Sequence, residues 1–143
     1  MPDVFASPAA EQEVIASCLL RPEQREECER LLRPEHFYCD ANAVVWKALV
    51  TSKAENTDQL IAQLNATDDY HRIGGAPYLW VLLEGGPYAV DTASSARHIR
   101  ECYTARETIL ALREALAMIE DHGPGNVVEV VRGLGDRMRR ARV

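Results

Sequence analysis

The sequence predicts an all-α protein, a compact bundle of about five short helices followed by a long antiparallel helical hairpin. Three observations predict this. Apolar residues recur at spacings of three and four in nearly every segment. Prolines and glycines punctuate the chain as far as Gly85-Gly86-Pro87, but none occurs between Val90 and His122. The one β-branched run, Val127-Val128-Glu129-Val130-Val131, finds no partner strand elsewhere, so it too reads as helix. With 143 residues and 47% hydrophobic content, the chain is large enough to close a core.

Ser7-Pro8 followed by Glu11 reads as a helix start: serine caps free amides, proline suits the first turn, and an early acid complements the macrodipole. This helix runs to about Leu20, with Val14, Ile15, Cys18 and Leu19 on its buried stripe. Pro22 opens the second helix, which buries Cys28, Leu31 and Leu32 and turns a charged EQREECER face to water. After Arg33-Pro34, the side chains of His36, Phe37 and Tyr38 form a local plug into the core. Asp40 then caps a third helix that carries Val44, Val45, Ala48 and Leu49, anchored by Trp46.

Asn56 and Gln59 have the spacing of a capping box, and Leu60, Ile61 and Leu64 give the fourth helix its apolar side. That helix ends near Asp68 or Asp69. Gly74-Gly75 is a break, and Pro77 stands in the first turn of a short helix, Tyr78 to Leu83, closed by Gly85-Gly86-Pro87. Being apolar almost all round, this fifth helix is expected to be central.

From Val90 to His122 the apolar positions Ile99, Cys102, Tyr103, Ile109, Leu110, Leu112, Leu116 and Ile119 keep a helical period. At 1.5 Å per residue such a helix is roughly 45 Å long, too long for a body of this size to cover. Gly123-Pro124-Gly125 reverses the chain. Asn126 caps a last helix with Val127, Val131, Leu134 and Met138 on one stripe. The expected division is a globular helical subdomain at 1–89 and a hairpin subdomain at 90–143 that leads toward a linker.

The residues exclude several kinds of chemistry. A P-loop needs a lysine after glycine, and the two lysines, Lys47 and Lys53, follow Trp46 and Ser52. No GxSxG elbow or HExxH helix occurs, so no catalytic residue is assigned and no cofactor is expected. Acid pairs such as Glu26-Glu27 and Asp68-Asp69 read as solvated charge, because general acid–base work requires a dry cleft. Cys18, Cys28, Cys39 and Cys102 lack a CxxC pair and read as reduced, mostly buried thiols. His36 and Cys39 stand three apart, but without a second close pair they read as a packed thiol beside a surface imidazole rather than metal ligands. His71, His98 and His122 read as surface groups. The N-terminus lacks a signal core and no stretch is apolar enough to span a bilayer, so the expected location is the cytoplasm, with no membrane partner.

A net charge of −6 argues against a generic nucleic-acid binder. The C-terminal end differs: Arg132, Arg137, Arg139, Arg140 and Arg142 outweigh Glu129 and Asp136, which makes Arg137, Arg139 and Arg140 candidate nucleic-acid or linker contacts.

The order of elements resembles the N-terminal domain of DnaB-type replicative helicases, and local sequences carry the resemblance across nearly the whole chain. Ser7-Pro8-Ala9-Ala10-Glu11-Gln12-Glu13-Val14-Ile15 is similar to that family's opening. Leu31-Leu32-Arg33-Pro34-Glu35-His36-Phe37-Tyr38 resembles its Leu-x-Pro-Glu-x-Phe-Tyr segment. Ile73-Gly74-Gly75-Ala76-Pro77-Tyr78-Leu79 resembles its Gly-Gly-x-x-Tyr-Leu segment, followed by Pro87 and Ala89, and Ile99, Glu101 and Arg106 are similar to the start of its long helix. The chain departs from the pattern at Asn42, where the family usually has histidine, and in a shortened stretch between Leu49 and Leu60.

The resemblance implies a collar without an ATPase motor of its own. In such helicases two copies pair through the hairpin, three pairs form a hexameric ring, and primase or a helicase loader docks on it. DNA would be met only through the full-length helicase. The expected pairing surface is Ile99, Cys102, Tyr103, Ile109, Leu110, Leu116, Ile119, Val127, Val131 and Leu134, an apolar stripe too large for the globular part to cover. Two other readings compete. A stand-alone adaptor or regulator that binds a helicase ring would not need to pair by itself. A DNA-binding module working through the C-terminal arginines would bind with steep salt dependence.

Overall fold

A computed structural model of the chain describes residues 5–84 and 91–141. The helices are α1 (Pro8–Leu20), α2 (Pro22–Leu31), α3 (Asp40–Ser52), α4 (Thr57–Ala66), α5 (Asp69–Arg72), α6 (Gly75–Glu84), α7 (Thr92–His122) and α8 (Val127–Ala141). Short 3₁₀ turns lie at Pro34–His36 and Pro124–Asn126. No strand occurs among the described residues, so the all-α expectation holds.

Contacts divide the chain into two units, Met1–Glu101 and Cys102–Val143. The expected boundary between residues 89 and 90 falls outside the described residues, as do Gly85-Gly86-Pro87, Ala89 and Val90. The division found lies within α7, whose first turns bury Thr92, Ala96 and Ile99 in the first unit.

In the first unit, α1 pairs with α2, α3 and α6, and α3 with α4. Ser7 Oγ accepts the Ala10 amide at 3.3 Å and Pro8 begins the helix, as their order requires. The core is built on Val14, Ile15, Val45, Trp46, Leu49, Leu60, Leu64 and Leu82, all essentially sealed from solvent. Phe37 lies against Trp46 with ring centroids 5.6 Å apart. The expected aromatic plug is therefore His36 and Phe37, while Tyr38 is exposed. His36 is a packed group rather than a surface imidazole: its Nδ1 accepts the Arg33 amide at 2.9 Å.

The start of α3 differs from the expected Asp40 cap. Cys39 is the capping residue and Asp40 already lies in the first turn. The amides just before the helix are taken by a carboxylate from another element. Glu11 of α1, buried, accepts from Tyr38 N at 2.8 Å, Cys39 N at 3.3 Å and Asn42 Nδ2 at 2.9 Å. Tyr78 of α6 donates its hydroxyl to Asn42 Oδ1, joining a third helix to the network. Burial, with Cys39 3.8 Å from the hydroxyl, pushes the Tyr78 phenol above its ordinary pKa.

The α4 start follows its sequence closely: Asn56 Oδ1 accepts the Gln59 amide at 2.9 Å, and Gln59 Oε1 accepts the Glu55 amide at 2.8 Å. Gly74 and Gly75 hold φ of +104° and +66°, a backbone that permits α6 to begin immediately after α5. The apolar helix α6 is not central. Leu79 and Leu82 are buried, but Trp80 is 65% exposed and Val81 shares its outer side.

In the second unit, Gly123 takes φ of +80°, and the turn at Pro124–Asn126 leads straight into α8. The valine-rich run is helical, as expected. Among the described residues no helix is long and apolar enough to cross a membrane.

Candidate functional site

The hairpin made by the later turns of α7 and by α8 carries the surface of interest. Each helical residue advances about 100° around its axis, so spacing decides which side chains share a side. Ala111, Ala115 and Met118 form one row of α7, and they line a cleft of about 270 Å³ with Val130, Gly133 and Leu134 of α8. Ala111 and Val130 are buried there. Arg137 reaches from α8 to bond Glu114 of α7.

A second apolar row on α7 takes no part in this cleft. Ile109, Leu112, Leu116 and Ile119 follow a 3-4-3 spacing, the heptad pattern of helices that associate side by side. Their row lies about 120° round the helix from Ala111 and Ala115. Leu112 is 51% and Leu116 57% exposed, while Ile109 and Ile119 are half-buried. On α8 the row Val127, Val131, Leu134 and Met138 has a 4-3-4 spacing and lies about 90° from the side that carries Val130 and Arg137. Val131 is 55% exposed and Val128 beside it is more so.

Both helices are right-handed and they run in opposite directions, so these two offsets carry the rows to the same side of the hairpin. The opposite side is rimmed by Glu114, Glu129, Gly133 and Arg137 of the cleft. The hairpin thus has one continuous apolar side and one polar-rimmed side.

The expected pairing residues do not all fall on the apolar side. Ile109, Leu116, Ile119, Val127 and Val131 do, whereas Leu134 also lines the cleft. Ile99 does not: it is 2% exposed and belongs to the core of the first unit. Cys102 is buried, and Tyr103 is half-buried with the Arg106 guanidinium 5.9 Å from its ring centroid. Leu110 is exposed, but its direction is about 120° away from the Ile109–Leu116 row, toward the cleft rim. The expected set omitted Leu112, Val128 and Met138, although the 3-4-3 and 4-3-4 spacings were the signal for two of them.

The candidate basic contacts are not gathered into one cationic patch. Arg137 is paired with Glu114 across the cleft, and Arg139 is paired with Asp136 one turn back on its own helix. Arg140 is exposed. Among the described residues no cluster of histidine, cysteine and acid could hold a metal ion.

The comparisons with known proteins agree with this architecture. The family described as DnaB-like helicase N terminal domain matches residues 4–101. The replicative DNA helicase DnaB of Geobacillus stearothermophilus is 30% identical over 116 residues, covering 78% of this chain but 25% of that protein. The chain thus spans about a quarter of the length of that curated relative. The crystal structure of the N-terminal domain of DnaB helicase from Mycobacterium tuberculosis superposes with a TM-score of 0.81 at 26% identity, covering 94% of this chain and 97% of that one. A family match over two thirds of the sequence, with a solved relative that follows both the globular part and the hairpin, places the chain in the family of DnaB-like helicase N-terminal domains.

Proposed function

We propose that this chain is the collar of a replicative DNA helicase, pairing subunits through the apolar side of its hairpin and docking a primase or a helicase loader. The observation that carries the reading is the row Ile109, Leu112, Leu116 and Ile119, which takes no part in the cleft with α8 and exposes Leu112 and Leu116. An apolar stripe of this regularity calls for a helical partner, and a second copy offers the same stripe in a self-complementary, two-fold arrangement. Three such pairs would build a hexameric ring, and the ATP-driven motor and the DNA contacts would belong to the remainder of a full-length helicase. The arginines of α8 fit a linker-proximal surface better than a DNA site, because two of them are already engaged by carboxylates.

Light scattering over a concentration series tests the pairing. The wild-type chain should show twice the monomer mass or a higher even multiple, and the Ile109→Asp/Leu116→Asp variant should stay monomeric with unchanged helix content. A wild-type chain that remains monomeric at all concentrations, or a double variant that keeps the wild-type mass, overturns pairing through this side and moves the ring-binding adaptor reading ahead.

A further inference from the structure

We propose that the outer face of α6 is a second self-association surface, on which a second copy of this chain lays its own α6 antiparallel across a two-fold axis, Trp80 against Val81. This rests on the collar reading proposed above. Pairing through the hairpin occupies one two-fold contact, and joining the pairs into a ring requires another, distinct from it.

The exposed residues of α6 are Ala76, Pro77, Trp80, Val81 and Glu84, and the buried ones are Gly75, Leu79 and Leu82. The exposed five follow a 1-3-1-3 spacing, which gathers them within about 140° of the helix circumference. Trp80 is 65% and Val81 54% exposed, and no large apolar side chain described in the first unit is more exposed than Trp80. A tryptophan in the middle of an apolar strip is the kind of anchor on which interfaces concentrate their energy.

Charge selects the occupant. Glu84 is the one charged residue of α6 and stands at its C-terminal end, where its own helix dipole disfavours an anion. At the other end α6 follows directly on His71 and Arg72, both exposed. Arg72 lies 3.4 Å from Asp69 but keeps its side chain 71% exposed. The strip thus runs from a positive end to a negative end, and two such strips match when laid antiparallel. With the axis between residues 80 and 81, Trp80 of each copy meets Val81 of the other. Each Glu84 then faces Pro77 at the positive end of the opposite α6.

The seam is small. Two tryptophans bury roughly 150–250 Å² each, against the roughly 1,200–2,000 Å² of a stable complex. Single copies therefore do not hold together through it, whereas pairs already joined by their hairpins do, because ring closure makes the contacts in concert.

Sedimentation velocity and acrylamide quenching of the full chain over a concentration series test this. The chain has two tryptophans and Trp46 is 1% exposed, so quenching reports on Trp80. Wild type should pass from the mass of one pair to that of three pairs, with quenching falling as the larger species forms. Trp80→Glu and Glu84→Lys, both at exposed positions, should stop at one pair with unchanged helix content, and Trp80 should stay quenchable in the second. The Ile109→Asp/Leu116→Asp variant should stay monomeric with Trp80 quenchable. A wild type that stops at one pair with Trp80 still quenchable overturns the α6 seam, leaves the hairpin pairing standing and opens this face to a different protein. A wild type that stays monomeric overturns both. Variants at Trp80 and Glu84 that reach the wild-type mass would show that the pairs meet elsewhere.

Discussion

Asn42 on α3 donates its side-chain amide to the Glu11 carboxylate on α1 across 2.9 Å, and Glu11 is itself 2% exposed. A buried carboxylate costs free energy unless its oxygens are satisfied, and here three donors converge on it. Removing the carboxylate strands the amides of Tyr38 and Cys39 as well as the Asn42 side chain. Glu11→Ala should therefore cost about 3 kcal/mol or more in urea unfolding, by the usual penalty for buried groups left unpaired. Asn42→Ala removes one of the three donors to Glu11, together with the acceptor of the Tyr78 hydroxyl, and should cost about 1–2 kcal/mol. Equal losses for the two variants would show that Glu11 is not the hub.

Arg25 supports a different joint. Its guanidinium donates to the Ala54 carbonyl at 2.5 Å, in a buried position between α2 and the turn after α3. Arg25→Met keeps the apolar stem but leaves that carbonyl unpaired, and should cost about 2 kcal/mol. Lys53 is an internal control: it lies 3.9 Å from Glu29 with its side chain 70% exposed. Lys53→Ala should cost less than about 0.5 kcal/mol, as exposed ion pairs generally do. A Lys53 loss as large as that of Arg25 would contradict this division of labour.

What the sequence made legible is local. Ser7 before Pro8, Pro22, the Asn56 cap and Gly123 act within a turn of where they stand and appear in the structure as read, while the Gln59 side chain accepts the Glu55 amide rather than that of Asn56. The start of α3 was misread because the acceptor for its neighbouring amides is Glu11, some 27 residues earlier. The α6 helix was misread because composition shows that a helix is apolar without showing which side meets water. The apolar side of the hairpin was partly legible: a helix with two apolar rows blurs into one periodic pattern, so Ile99 and Leu110 were grouped with residues that face elsewhere. Only the position of α8 separates the Ala111 row from the Ile109 row.

Gly133 offers a test of α8 alone. It stands in the middle of the helix, and a Cβ placed there meets nothing within 4 Å. Gly133→Ala should stabilise α8 by about 1 kcal/mol, since alanine restricts the unfolded chain and favours helix. Circular dichroism melts should show a higher midpoint. A lowered midpoint would mean that the cleft must stay open at this position.

The two sides of the hairpin should respond oppositely to charge. Leu112 lies in the exposed apolar row, whereas Glu114 is on the rim of the cleft, bonded to Arg137. In a two-fold pair each substitution is present twice, so one Leu112→Asp change buries two unpaired charges or removes two leucine contacts. At about 1.5–3 kcal/mol for each leucine, self-association should weaken at least a hundredfold. Glu114→Gln instead removes an exposed ion pair on the far side and should leave the dissociation constant within about threefold of wild type, given the small worth of such pairs. Sedimentation equilibrium on both variants separates the sides. If Glu114→Gln weakened the pair as strongly as Leu112→Asp, the copies would meet through the cleft, and the apolar row of α7 would be left for a different partner helix.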